Sequence, residues 1–215
     1  MILKRIKVNA GAILGVNCYI VQDENTKEAM VIDPGGSPAK IIEMLDTIGA
    51  KVKYILLTHC HGDHIGAVNE IREKCGGTIL IHREDEPGLK NPDVNLSNHI
   101  GMGNVTVENV SRLNEDDLIH VGDLEFKIIH TPGHTAGSIS VYLEQEKLIF
   151  SGDTLFRGSW GRTDLPTSSF TEIIDSIANK LMQLPGDTIV YPGHGKSTII
   201  QEEENIYLEL KPKTY

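Results

Sequence analysis

Residues 58–64 read "THCHGDH" and directly follow the apolar run "YILL" at residues 54–57. Three histidines and one aspartate fall within the six positions 59–64. Imidazole and carboxylate groups are the ligands that zinc, iron and manganese accept in proteins. The stretch therefore predicts metal ligands in a turn at the end of a strand.

Three further motifs repeat this arrangement at other strand ends. His134 in "TPGHT", Asp153 in "SGDT" and His194 in "YPGHG" each follow an apolar, strand-like run and lie in a turn with glycine or proline. Strand ends that meet at one edge of a sheet pair would bring these side chains to "THCHGDH". The candidate metal ligands are His59, His61, Asp63, His64, His134, Asp153 and His194. Seven ligands exceed the needs of one tetrahedral zinc and suit two metals.

Composition narrows the possible functions and partners. The chain has 215 residues, 40% of them hydrophobic, and a formal charge of −10. This length suits a single domain over residues 1–215. The acidic charge disfavours binding to nucleic acid. The sequence contains no apolar run of ~18 residues, so we expect no membrane span. Three cysteines without C-x-x-C spacing indicate no disulfide framework and favour a cytoplasmic location.

Alternating strand and helix patterns predict an α/β fold. Apolar runs predict strands over residues 16–21, 28–33, 54–57, 78–82, 124–129, 138–143, 147–150 and 188–191. Helical periodicity predicts helices over 38–48, 65–74 and 170–184, and a last helix over 197–210. The polar stretch 84–105 is long for a loop in a compact domain, so we expect it to be functional or to contain a short helix.

The ligand motifs resemble those of the metallo-β-lactamase superfamily, and most closely the glyoxalase II-like hydrolases. "VIDPGG" (31–36), "HTPGHTAGS" (130–138) and "FSGDTLF" (150–156) also match in order. Because the chain ends soon after "GHGKST", it resembles a short branch without the C-terminal helical domain. The resemblance implies a four-layer αββα sandwich with the site at the sheet edge.

The resemblance also implies a division of the ligands between two metals. The first metal would be held by His59, His61 and His134, and the second by Asp63, His64 and His194. Asp153 would bridge the two metals, and Asp33 would have a structural or supporting role. The expected cofactors are two divalent ions, with zinc as the first choice. Iron and manganese remain alternatives, because the same ligands accept all three metals.

The implied reaction is hydrolysis of a small-molecule thioester, such as a hydroxyacyl-glutathione, by a hydroxide that bridges the metals. Asp63 and Asp153 are the catalytic carboxylates of this scheme. A thiolate suits the reaction because it is a weakly basic leaving group. Basic and aromatic residues beside the ligand motifs are candidate substrate contacts: Arg157, Trp160, Arg162 and Lys196.

Two alternatives remain open on the sequence. The run "GRTD" at residues 161–164 resembles the persulfide dioxygenase branch. That branch uses a single iron, for which His59, His134 and Asp153 would be the ligands. The other alternative is a non-catalytic metal-binding or redox-sensing module.

Overall fold

Strands that are buried on both faces form the centre of the structure. The structure is a computed structural model, and it describes residues 1–208. In the strand Glu28–Ile32, Ala29 and Val31 contact one hydrophobic cluster, while Met30 and Ile32 contact another. Successive side chains of a strand point to opposite faces of the sheet. This strand therefore belongs to a sheet that is covered on both sides.

The first sheet has six strands in chain order, with antiparallel pairing between the first three and parallel pairing from the third to the sixth. Its strands are β1 (Ile2–Ala10), β2 (Ile13–Gln22), β3 (Glu28–Ile32), β4 (Lys51–Leu56), β5 (Thr78–His82) and β6 (Ser111–Leu113).

The second sheet also has six strands. In chain order, the remaining strands are β7 (Leu118–Val121), β8 (Leu124–His130), β9 (Ile139–Leu143), β10 (Leu148–Gly152), β11 (Leu155–Phe156), β12 (Ser159–Trp160), β13 (Ile189–Pro192) and β14 (Thr198–Ile199). The spatial order of this sheet is β14-β13-β10-β9-β8-β7, and β11 and β12 form a separate hairpin.

Helices cover the outer face of each sheet. They are α1 (Pro38–Ile48), α2 (Gly62–Ile65), α3 (Val68–Cys75), α4 (Phe170–Asn179) and α5 (Ile200–Leu208), with 3₁₀ helices at Glu86–Lys90, Glu144–Glu146 and Leu181–Gln183. Ile41 of α1 and Val68 of α3 lie in the cluster on the first sheet, and Ile177 of α4 and Ile200 of α5 lie in the cluster on the second.

A third hydrophobic cluster lies between the two sheets. It joins residues such as Tyr19 and Leu56 of the first sheet to Phe126 and Phe150 of the second. Three apolar layers therefore separate four layers of secondary structure, which confirms the αββα sandwich. The expectation of one domain over residues 1–215 stays a prediction.

The helix predicted over 65–74 is two helices. α2 ends at Ile65 and α3 begins at Val68, because the backbone N–H of Ala67 donates to Pro34 O at 2.8 Å instead of continuing a helix. A side chain at Gly66 would also overlap the carbonyl of Gly35. The break lets the chain after the "THCHGDH" turn pack against residues 34–35.

The two later helices are also shorter than the sequence pattern predicts. The helix predicted over 170–184 ends at Asn179, and a 3₁₀ helix over Leu181–Gln183 follows it. The last helix begins at Ile200, after Thr198 and Ile199 pair with β13, and its predicted positions 209–210 lie outside the described residues. Segment 84–105 contains a short 3₁₀ helix, as expected.

Within residues 1–208, no helix combines the length and apolar character needed to cross a membrane.

Candidate metal centre

The turns that follow four central strands meet at one edge of the sandwich. Backbone hydrogen bonds join them: Ile139 N donates to Thr58 O at 2.9 Å, and Gly193 N donates to Gly152 O at 2.8 Å. Asn17 N donates to Gly193 O at 2.8 Å, which connects β2 of one sheet to the turn after β13 of the other. The four ligand motifs are therefore held together by main-chain contacts.

Three buried histidines form the first group. His61 Nδ1 lies 2.9 Å from His134 Nε2, and the ring centroid of His59 lies 4.8 Å from the centroids of both. The three residues are at most 3% exposed. This three-histidine group has the ligand number and type of a catalytic zinc site, which keeps its fourth position open.

The second group lies beside the first and contains Asp63, His64 and His194. His194 Nε2 lies 3.2 Å from Asp63 Oδ2 and 3.3 Å from His64 Nε2. His64 is fully buried, whereas His194 is the most exposed of the three, with 29% of its side chain accessible. We call this set the mixed group.

The Asp153 carboxylate lies between the two groups. Its Oδ2 is 3.6 Å from His134 Nε2 of the three-histidine group and 3.5 Å from His194 Nε2 of the mixed group. Its Oδ1 is 3.4 Å from His64 Nε2. A carboxylate in this position can give one oxygen to each of two metals.

Hydrogen bonds behind the histidines orient them toward the centre. His134 Nδ1 lies 2.9 Å from the Arg162 carbonyl, which only accepts, so Nδ1 carries the proton and the Nε2 lone pair faces the centre. His64 Nδ1 lies 3.0 Å from Asp33 Oδ2, which fixes the same tautomer. Asp33 also accepts from the N–H and hydroxyl of Thr58, so it has the supporting role expected for it.

The donor set fits two divalent metals. His59 Nε2 and Asp153 Oδ1 are buried, and neither finds a hydrogen-bond partner in the described part of the chain. Buried polar atoms normally have a partner, so an ion that accepts both lone pairs accounts for them. Gly193 keeps this space open, because a Cβ there would overlap Asp153 Oδ1 and lie 2.6 Å from His64 Cε1.

Burial and charge shift the pKa values of the two groups in opposite directions. Burial and the neighbouring imidazoles hold the pKa of His59 well below its usual value. Burial also lowers the pKa of His64, but the carboxylates around it outweigh burial and raise it to about 10. The pKa of His194 is raised in the same way, by Asp153 and Asp63 against burial. His64 and His194 of the mixed group therefore retain a proton more readily than His59 does.

All seven candidate ligands are brought together, although their role as ligands stays a prediction. Cys60 lies between His59 and His61 in sequence, but its buried side chain contacts the hydrophobic cluster beneath α1 and α3. Cys60 is therefore a packing residue and does not face the centre.

A cleft of about 280 Å³ opens above the centre. His61, Asp63, His134, Asp153 and His194 form part of its wall, and Trp160 and Arg162 of the candidate substrate contacts also line it. Arg157 and Lys196 are not among its lining residues, and Arg157 lies 3.9 Å from Glu202 instead. A role for these two residues in substrate binding stays a prediction.

Sequence reasoning missed most of the apolar cleft wall. The missed residues are Ile13, Leu96, Ile100, Phe156 and Leu165. Leu96 and Ile100 belong to segment 84–105, whose length had suggested a function. Leu96, Ile100 and Leu165 are isolated apolar residues in irregular segments, and Ile13 and Phe156 lie at strand ends. None of them carries a periodic signal, so only the folded arrangement identifies them.

Comparison with known proteins finds the same family at the level of sequence. The family model for the metallo-beta-lactamase superfamily matches residues 12–194. A probable metallo-hydrolase, YqgX of Bacillus subtilis, is 34% identical over 96% of this chain and 98% of its own. Hydroxyacylglutathione hydrolase GloC of Haemophilus influenzae is 34% identical over 87% of this chain and 89% of its own.

Solved structures give the same result. BLEG-1, a B3 metallo-beta-lactamase, superposes with a TM-score of 0.89 at 35% identity, over 98% of this chain and all of that one. TTHA1623 in a di-iron-bound form has a TM-score of 0.82 at 32% identity, over 93% and 96% of the two chains. ETHE1 from Myxococcus xanthus has a TM-score of 0.77 at 26% identity, over 100% and 93%.

We expect a Gly193→Ala substitution to reduce metal binding, because the added methyl group occupies space between Asp153 and His64. Bound metal should fall from two ions per chain to one or fewer in elemental analysis of the purified protein. Gly186→Ala is the matched control, since its Cβ would meet only Gln201, at 3.3 Å or more. Full metal content in Gly193→Ala would contradict this view of the centre.

We expect metal binding at neutral pH to release protons from the mixed group. The pKa values of His64 and His194 are raised in the metal-free chain, and a histidine must be neutral to bind a metal. Affinity should therefore rise with pH until about 10, the raised pKa of His64. Calorimetric titration in two buffers of different ionisation enthalpy measures the released protons.

The number of protons released should fall in His194→Ala and stay unchanged in His120→Ala, whose exposed imidazole pairs with Glu125. Metal binding without proton release at pH 7 would show that His64 and His194 are already neutral before the metal binds.

Proposed function

Because the chain belongs to the metallo-beta-lactamase superfamily, we propose that it is a binuclear metal-dependent hydrolase of small thioesters, such as a hydroxyacyl-glutathione. The observation that carries this proposal is the position of Asp153. Its carboxylate lies within 3.6 Å of ligand nitrogens from both groups, at the wall of an open cleft. This geometry suits two metals that share one substrate.

Divalent metals bound here would supply the nucleophile, because they lower the pKa of bound water from ~15.7 to ~7, and they would polarise the substrate carbonyl. The overall reaction forms a bond between the water oxygen and the carbonyl carbon and breaks the carbon–sulfur bond. The thiol leaves with a proton from water. No separate protein base is required at neutral pH.

The chain's own residues position the reactants. Burial raises the pKa of the Asp63 carboxyl, but His64 and His194 outweigh burial and hold it well below its usual value. Asp63 therefore remains an anionic acceptor on the cleft wall, able to orient the attacking water by a hydrogen bond. Trp160 and Leu165 add apolar surface to the cleft wall, which lowers the local polarity and strengthens electrostatic interactions there.

Support for a thioester comes from two sources. GloC of Haemophilus influenzae, a hydroxyacylglutathione hydrolase by name, matches most of the chain. The cleft also suits an acyl group, since it is small and its wall beyond the candidate ligands is mainly apolar.

Arg162 gives little support for glutathione itself as the carrier. Of the described residues that line the cleft, Arg162 is the charged one outside the candidate ligand set. Its guanidinium donates two hydrogen bonds of 2.9 Å to the Asp164 carboxylate. Both side chains are more than two thirds exposed. An anionic carrier would have to compete with Asp164 for this cation.

The second candidate function is a mononuclear iron persulfide dioxygenase. One observation favours it: the "GRTD" segment directly contacts the centre through the bond from His134 Nδ1 to Arg162 O. Oxygen uptake by iron-loaded protein with glutathione persulfide, compared with thioester cleavage by zinc-loaded protein, separates the two functions. A single iron held by His59, His134 and Asp153 would leave the mixed group without a role. The presence of all three of its residues therefore favours the hydrolase.

We expect His59→Ala and Asp153→Ala to reduce thioester hydrolysis by zinc-loaded protein more than about 100-fold, because loss of even a supporting residue costs about 10–100-fold. His120→Ala, on the surface of β7, should retain full activity. The measurement is the rate of thiol release from S-lactoyl-glutathione and from S-lactoyl-N-acetylcysteamine, with metal content determined for each variant.

Full thioesterase activity in metal-free Asp153→Ala protein would refute the hydrolase. Zinc-loaded protein that is inert toward thioesters, lactones and phosphoesters would favour the non-catalytic metal-binding module instead.

We expect Asp164→Asn to raise kcat/KM for S-lactoyl-glutathione by about two- to fivefold, since exposed ion pairs are weak and the change frees Arg162 for a carboxylate. The uncharged S-lactoyl-N-acetylcysteamine should be hydrolysed at an unchanged rate. The double variant Arg162→Gln/Asp164→Asn is the control and should lose the gain. An equal change for both substrates would show that Asp164 affects the centre and not the carrier.

A further inference from the structure

A buried carboxylate outside the ligand set holds the three-histidine group in place. Asp85 is 2% exposed and follows β5, on the polar segment 84–105. Its Oδ2 accepts hydrogen bonds from Cys60 N and Thr135 Oγ1, each at 2.8 Å, and its Oδ1 accepts from Gly137 N at 2.7 Å. These three donors come from two different ligand turns.

Two of the three donors to Asp85 are immediate neighbours of candidate ligands. Cys60 lies between His59 and His61, and Thr135 follows His134. One carboxylate therefore fixes the distance between the turn that carries two of the histidines and the turn that carries the third. The same three histidines form the group whose nitrogens must converge on one metal.

A different residue has this role for the mixed group. Asn17 of β2 is fully buried, and its Nδ2 donates to Pro192 O at 2.8 Å and to Gly195 O at 3.2 Å. The hydroxyl of Tyr19, on the same face of β2, donates to Pro192 O at 2.7 Å. His194 lies between the two carbonyls that Asn17 holds.

The two supports act on separate parts of the centre. The Asp85 carboxylate bonds to the turns of His59, His61 and His134, and the Asn17 amide bonds to the turn of His194. Asp63 and His64 of the mixed group follow His61 in the chain, but they lie in α2, beyond the residue that bonds to Asp85. β2 and the segment after β5 approach the centre from different elements of the fold. A substitution of Asp85 should therefore displace ligands of the three-histidine group, and a substitution of Asn17 should displace His194 of the mixed group.

We propose that Asp85 and Asn17 are site-selective positioning residues, Asp85 for the metal of the three-histidine group and Asn17 for the metal of the mixed group. This inference rests on the metal centre of the proposed function and goes beyond it. It predicts that each metal site can be weakened without the other by changing a residue that touches no metal. Residues that orient metal ligands typically change metal affinity by about 10–100-fold.

The test measures how each positioning residue affects metal binding when only one of the two metal sites is complete. His194→Ala leaves the three-histidine group complete, and His134→Ala leaves the mixed group complete. Asp85→Asn and Asn17→Ala are introduced separately into each background. Metal-free protein is titrated with Co²⁺, and the dissociation constant and the visible absorption bands of the bound ion are recorded. Thermal unfolding of each metal-free protein reports its folding.

We expect Asp85→Asn to weaken Co²⁺ binding about 10–100-fold and to change the absorption bands in the His194→Ala background, with less than about threefold change in the His134→Ala background. Asn17→Ala should show the reverse pattern. A merely structural role would weaken both sites alike and would leave the bands of the remaining bound ion unaltered.

Matched controls exist for both changes. Asp23 is also a buried carboxylate that accepts hydrogen bonds from a turn, and Gln22 is also a buried amide of β2 that donates to backbone carbonyls. Neither Asp23 nor Gln22 lines the cleft. Asp23→Asn and Gln22→Ala should lower thermal stability without changing either Co²⁺ constant.

Milder variants keep the test decisive if Asp85→Asn or Asn17→Ala fails to fold. Thr135→Val removes one bond to Asp85, and Tyr19→Phe removes one bond to Pro192 O. Each should weaken its own site by several-fold and spare the other. Equal losses at both sites, or no loss at either, would overturn the inference. Wild-type protein that binds no metal would overturn the proposed function with it.

Discussion

The contact between buried imidazoles and carboxylates at the sheet edge is the constraint on which the site depends. Nitrogens of neighbouring histidines face each other at 2.9 and 3.3 Å, and carboxylate oxygens lie within 3.7 Å of them. Protons alone satisfy this set poorly, because a shared proton serves only two atoms and buried charge is costly. Divalent ions satisfy it, since one cation accepts several lone pairs at once and neutralises Asp63 and Asp153.

The sandwich makes this concentration of polar groups possible. Three apolar clusters hold the strands rigidly, so the turns that follow them are placed with little freedom. The polar groups behind the ligands then select ring orientation, as Asp33 does for His64 and the Arg162 carbonyl for His134. The cleft above adds an apolar wall and a paired arginine. In the proposed function, metal binding, nucleophile formation and substrate selection take place in successive shells of residues around the Asp153 carboxylate.

The sequence predicted the parts of this arrangement that leave a local pattern. Clustered histidines after apolar runs are rare enough to identify the ligand turns, and strand and helix periodicity identified the α/β fold. The short edge strands β6 and β14 lacked enough residues for a pattern. The break at Gly66 depended on a tertiary hydrogen bond from Ala67. Asp85 resembled any aspartate of a polar segment, because only folding shows that its carboxylate is buried between two turns.

The position of the metals tests the central claim most directly. An anomalous-difference map from crystals of the zinc-loaded protein, with data collected on both sides of the zinc absorption edge, locates bound zinc independently of the chain. We predict two peaks, one about 2.0–2.1 Å from nitrogens of His59, His61 and His134, and one among Asp63, His64 and His194, with Asp153 between them. A map without density at these positions, or with zinc bound elsewhere, would contradict the account.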